Sequence, residues 1–145
     1  MDHIDITRKS TNNLETELSR DGLNEFLKKN EEEFIQTDLG IYIQELISRK
    51  EISKAELARR SGMSSVYLYQ LLSGKRYPSR DRLICLCIGL SCSLEETQNI
   101  LKKSRFAGLY LKVRRDAILC YGIRNNMDIN QINDLLYEKE EETLI

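Results

Sequence analysis

From Leu39 onward the apolar residues fall into a helical rhythm. Leu39, Ile43, Leu46 and Ile47 stand at i, i+4, i+7 and i+8, which predicts a first helix over residues 39–50. Ser53 followed three residues later by Glu56 has the spacing of a capping box, so a second helix starts at Lys54. It should end at Gly62, the residue type best able to take a left-handed conformation beyond a helix. Ser64 then caps a third helix that ends near Gly74. Ser79, after Pro78, opens a fourth over 80–90, and Ser93 with Glu96 forms a second capping box that opens a fifth over 94–106, stopped by Gly108. No segment has the two-residue alternation of a strand. Before residue 37 the apolar residues (Leu14, Leu18, Leu23, Phe26, Leu27) are sparse and the run Glu31 to Glu33 is acidic. Residues 1–36 therefore read as a flexible acidic arm holding at most a short amphipathic helix around Leu23, Phe26 and Leu27.

A partial repeat follows. An offset of 35 pairs Arg80 with Arg115, Asp81 with Asp116, Cys85 with Cys120, Ile88 with Ile123 and Leu101 with Leu136, five identities in 22 positions. Leu83 matches Ile118, Ile84 matches Leu119, Leu94 matches Ile129 and Ile100 matches Leu135, and Asp128 with Gln131 stands where Ser93 with Glu96 stood. A second helix hairpin, 114–124 and 128–139, is expected to stack on the first as helical repeats do. The acidic tail EKEEE is expected to fray, and Leu109, Tyr110, Leu111 and Val113 to seal the hairpins together.

Composition narrows the class. The chain has 145 residues, 41% hydrophobic and 31% charged, with one proline and no tryptophan, the balance of a helix-rich domain and a half. No apolar run approaches the roughly 20 residues needed to cross a bilayer, which points to a cytoplasmic protein without membrane contact. His3, in a polar tail, is the only histidine, and no glycine-rich phosphate loop is present, so the sequence reads as a non-enzyme without a cofactor. Cys85, Cys87 and Cys92 in CLCIGLSC hint at a metal site, but residues two apart on a helix point about 200° apart. Together with Cys120 they read as core thiols, with no metal site expected. The net charge of −1 conceals segregation: residues 1–38 carry 5 basic and 10 acidic side chains, residues 39–80 carry 8 and 3, and residues 81–145 carry 9 and 10. The +5 centre suits phosphate attraction. The stretch KKSRFAGLYLKVRR, 102–115, holds six basic residues and no acidic one, and reads as an extension of that surface or as a solvated connection.

Within the basic centre, KAELARRSGMSSVYLYQLLS (54–73) meets the steric demands of a helix-turn-helix: Ala58 is small where helices cross, Gly62 permits the turn, and Leu57, Met63, Leu68 and Leu71 face a core. Ser61 stands where an apolar residue is usual, which predicts a looser helix pair. With ISKAELARRSGMSSVYLYQLLSGKRYPSRDRL around it, the segment resembles the XRE-type, lambda-repressor-like helix-turn-helix proteins over about residues 37–106. The resemblance implies an all-α fold: a five-helix lambda-repressor-like domain over 37–106, followed here by the additional C-terminal hairpin, 107–145. It also implies that the third helix lies in the major groove of DNA.

Turning 100° per residue from inward Leu68 and Leu71 puts Val66, Tyr69, Gln70 and Ser73 outward, with Ser64 and Ser65 at the N-terminal end. Ser64, Ser65, Val66, Tyr69 and Gln70 are the base-reading candidates, since Gln70 can pair bidentately with adenine and Val66 can meet a thymine methyl. By analogy with the family, Lys54, Lys75 and Arg76 would hold phosphates, joined by Ser73 and Arg59. The function expected is that of a prokaryotic transcriptional regulator that reads an operator in double-stranded DNA, as a homodimer on paired half-sites. The alternative is a protein-interaction module, an antitoxin or adapter in a defence or signalling locus, docking a protein partner at the C-terminal hairpin.

Overall fold

The computed structural model describes residues 22–25 and 39–144. The chain divides into two units, residues 1–36 and 37–145. In the first, residues 23–25 form a helical turn; the rest of the expected arm, with Leu14, Leu18, Phe26 and Leu27, lies outside the described residues. In the second, every described element of regular structure is a helix: α1 (Leu39–Arg49), α2 (Lys54–Arg60), α3 (Ser65–Leu72), α4 (Arg80–Gly89), α5 (Leu94–Lys103), α6 (Arg114–Arg124) and α7 (Ile129–Glu138).

The starts follow from capping chemistry. Ser53, Ser64, Ser79 and Ser93 each accept the amide three residues on, satisfying one of the free donors at a helix start. Ser93/Glu96 and Asp128/Gln131 are complete capping boxes. Ser53/Glu56 is only half of one: the Glu56 carboxylate turns away to bind Arg59 and Arg60. The ends are less regular. Gly62 (φ 67°) and Gly74 (φ 83°) take the expected left-handed conformation. The fifth helix, however, stops at Lys103 rather than running to 106, because Arg105 and not Gly108 is the left-handed residue (φ 66°).

The core runs through α1 to α7, with Ile43, Leu57, Leu83, Ile100, Leu119 and Ile132 all fully buried. Helix α2 packs on α4 at a close crossing. A Cβ on Gly89 would lie 2.2 Å from the Ser61 hydroxyl, so the fully buried Ser61 marks a tight approach of α2 to α4. All four cysteines are buried and none is in a disulfide. Burial pushes the Cys85 thiol up to about 11.

The second hairpin repeats the first in detail at the offset of 35. Left-handed Ser91 and Arg105 recur as Asn126 and Glu140. Gln98 holds the Leu109 amide at 2.7 Å, and Asn133 holds the Leu144 amide at 2.6 Å. Arg80 donates to the carbonyls of Ala107 and Gly108, and Arg115 to those of Glu142 and Thr143. The tail that was expected to fray is therefore pinned: Arg114 binds Glu141 at 2.8 Å and Leu144 is buried. In the linking segment only Leu109 is buried, whereas Tyr110, Leu111 and Val113 are exposed and seal nothing.

The second hairpin, expected to stack on the first by translation as helical repeats do, meets it reciprocally instead. Arg80 pairs with Asp116 (3.3 and 3.1 Å) while Arg115 pairs with Asp81 (3.0 and 3.0 Å), and α4 packs on α7 as α5 packs on α6. Each hairpin gives the other what it receives, which is a closed, two-fold-like relation. An open stack would instead send Arg115 forward to a third unit.

Candidate nucleic-acid interface

The turn between α2 and α3 is fixed from both sides. Gly62 donates to the Arg59 carbonyl and Met63 to that of Ala58, closing the end of α2, and Ser64 caps α3 at once by accepting from the Tyr67 amide at 3.0 Å. Leu57, Ala58, Met63, Leu68 and Leu71 are all buried, so the apolar stripe that locks the two helices leaves one face of α3 free. On that face Ser64 and Ser65 are exposed at the N-terminal end, and Val66 and Tyr69 are exposed by 67% and 65%. Gln70 is half-buried.

The chain then reverses at Gly74. The amides of Lys75 and Arg76 both reach the Gln70 carbonyl, at 2.9 and 3.2 Å, and the Arg76 Nε donates to Gln70 Oε1 at 2.8 Å. Ser73 Oγ bonds the same Gln70 carbonyl at 3.3 Å, while Lys75 and Lys54 stay exposed. The structure thus gathers Ser64, Ser65, Val66, Tyr69, Gln70, Ser73, Lys75 and Arg76 on one helix and the turn that leaves it. Arg59 stands apart. It and Arg60 share Glu56, whose carboxyl they hold down at about 2 by hydrogen bonding, and both line a cavity of about 370 Å³ with Ile88 of α4 and with Met127 and Asp128 from the turn between α6 and α7.

Sequence reasoning missed Tyr67. Its ring lies 5.6 Å from the Arg76 guanidinium and 5.0 Å from that of Arg82, a double cation–π contact that fixes Arg76 between Tyr67 and Gln70. The only signal for it was an aromatic beside the inward Leu68, and that did not reveal two arginines arriving from beyond the turn.

Residues 42–97 match a family model for Cro/C1-type helix-turn-helix DNA-binding domains, from within α1 to the first turn of α5. These residues form such a domain, in accord with the XRE-type resemblance. No curated protein and no solved structure matches the chain. None of the described helices is long and apolar enough to cross a membrane.

Proposed function

Given a Cro/C1-type helix-turn-helix over residues 42–97, we propose that the protein is a transcriptional regulator that reads a specific operator in double-stranded DNA with α3. The observation that carries the proposal is the face of α3 left free by the core, with hydrogen-bonding and apolar side chains at its front and cations at its exit. Ser64, Ser65, Val66, Tyr69 and Gln70 meet the base edges. Gln70 is the discriminating residue: with Oε1 already held by Arg76 it keeps a second lone pair and the Nε2 donor for adenine. Arg76 thereby orients the reading side chain as well as lying near the backbone. Lys54, Ser73 and Lys75 hold phosphates, and Arg59, neutralised by Glu56, contributes least. The role is one of binding, without catalysis, in a prokaryotic cytoplasm.

The test is recovery of bound fragments from host genomic DNA at fixed salt, for the wild type and for the Gln70→Ala, Lys75→Ala variant. A few loci sharing a motif should be enriched, and the variant should lose them. Lys75→Ala alone should weaken binding to all sequences and flatten the salt dependence by about one phosphate equivalent. If nothing is enriched over bulk DNA, operator reading is refuted. The exposed Val66 and Tyr69 then favour the second reading, a helix-turn-helix kept as a protein-docking scaffold.

A further inference from the structure

Most helix ends of this fold close in one way. The residue after the left-handed one sends its amide back to the carbonyl five positions earlier, a geometry that sets the two side chains side by side. The pair is Ile47 and Ile52 after α1, Leu101 and Phe106 after α5, and Gly122 and Met127 after α6. After α4 it is Cys87 and Cys92, the one such turn among the described residues that joins two thiols. Ser91 is left-handed (φ 55°) and the Cys92 amide reaches the Cys87 carbonyl at 3.0 Å. The thiols themselves are hydrogen-bonded, Cys87 donating to Cys92. Cys87 is fully enclosed, whereas Cys92, 6% exposed, lines the cavity of about 370 Å³ together with Ile88, Asn126 and Met127. Gly62, at the turn between α2 and α3, lines the same cavity.

We propose that Cys87 and Cys92 are a redox modification site, oxidised by a hydroperoxide that enters the cavity and closed reversibly into an intrachain disulfide. The Cys92 thiolate attacks the peroxide: an S–O bond forms, the O–O bond breaks, and the departing oxygen takes up a proton and leaves as water or an alcohol. The Cys87 thiol then attacks the sulfenic sulfur of Cys92. The S–S bond forms, the S–O bond breaks, and hydroxide leaves with the Cys87 proton as water. Two thiols are oxidised to one disulfide as one peroxide is reduced, and a dithiol reductant restores both by exchange. The roles follow from placement, since Cys92 meets the cavity and Cys87 does not. Electrostatics agree with it. The bond donated by Cys87 lowers the Cys92 thiol below its ordinary value, with Lys50 and Arg49 adding to it against burial and the Glu96 charge. The same bond, together with burial, raises Cys87. Burial also raises Cys85 and Cys120, and neither lines the cavity. Because the turn already holds the two thiols together, the link needs little movement of the backbone.

The site stands independently of the operator reading and is tested on the full chain, reduced and then freed of reductant. Under hydrogen peroxide sufficient to oxidise free cysteine completely, the four thiols should fall to two, counted by alkylation after unfolding, and dithiothreitol should restore all four. Fragmentation of the peptides in the mass spectrometer should place the link between Cys87 and Cys92. The Cys85→Ala, Cys120→Ala variant should lose both of its thiols in the same way. Cys87→Ala, with an unchanged helical circular dichroism spectrum, should stop at a sulfenic acid on Cys92 that a cyclic dione captures. Survival of all four thiols in the wild type overturns the proposal, as does a link to Cys85 or Cys120 or one that joins two chains. Thiol loss that dithiothreitol does not reverse, or that persists undiminished in Cys92→Ala, overturns it too.

Discussion

Asp116 is the residue on which the pairing of the hairpins most depends, and Asp116→Ala is the sharpest test of that pairing. Its side chain is 7% exposed and accepts three bonds, from Arg80 Nη1 at 3.3 Å, Arg80 Nη2 at 3.1 Å and the Tyr110 amide at 3.0 Å. Removing one member of a buried ion pair costs about 3–5 kcal/mol when the partner is left uncompensated. Arg80 is 25% exposed and keeps the Ala107 and Gly108 carbonyls at 2.9 Å, so its share falls to about 2 kcal/mol. The orphaned Tyr110 amide adds about 1 kcal/mol. Asp116→Ala should therefore destabilise by about 3 kcal/mol, a large part of a domain's 5–15. The mirror change Asp81→Ala removes two bonds at 3.0 Å from a carboxylate that is 23% exposed and holds no buried amide, so it should cost about 1–2 kcal/mol. Urea unfolding followed by circular dichroism measures both, as midpoint shifts at constant slope. A cycle with Arg80→Ala isolates the pair. An Asp116→Ala midpoint within about 0.5 kcal/mol of wild type, or an Asp81→Ala loss as large as that of Asp116→Ala, would refute the reasoning.

Two further outcomes follow from local chemistry. Glu96 accepts the Ser93 amide at 2.9 Å and the Lys50 ammonium at 3.1 Å, which holds its carboxyl below the ordinary 4.5. A depressed acid stabilises the fold above its unfolded value and loses that contribution as pH falls through the folded value. Stability should thus decline below pH 4.5, and Glu96→Gln, which keeps the cap as Gln131 does on α7, should give a shallower acid limb in thermal melts across pH. At the α2–α4 crossing the buried Ser61 hydroxyl has no hydrogen-bond partner, so Ser61→Ala should stabilise by about 0.5–1 kcal/mol. Gly89→Ala, whose Cβ meets that hydroxyl at 2.2 Å and the Ser61 amide nitrogen at 3.1 Å, should cost about 2 kcal/mol, and less in the Ser61→Ala background. Denaturant midpoints of the two single variants and the double variant check all three.

Much of the fold was legible because it obeys short-range rules. The cap serines and Asp128 act on amides three residues away, and the buried leucines of α3 recur at helical spacing, so both helix starts and the free face of α3 follow from neighbouring residues. Helix ends were legible where glycine marked them and not where Arg105 or Glu140 takes the left-handed conformation, since the gain that offsets the strain comes from tertiary packing. On the interface, the outward positions could be computed from 100° per residue, but the Gln70–Arg76 bond and the Tyr67 contacts arise only after the chain reverses at Gly74.

The sequence by itself determined which segments are helical, which face of α3 escapes the core and that residues 80–101 have a twin 35 positions on. The tertiary structure alone decided how the twins meet. Identical Arg–Asp dipeptides are compatible with an open stack as well as with a closed pair, and the choice lies in bonds spanning 34 and 36 residues, from Arg115 to Asp81 and from Arg80 to Asp116. It also decided that only one twin is capped by the helix-turn-helix, because α1 and α2 can cover a single hairpin face and the second is left open between α6 and α7.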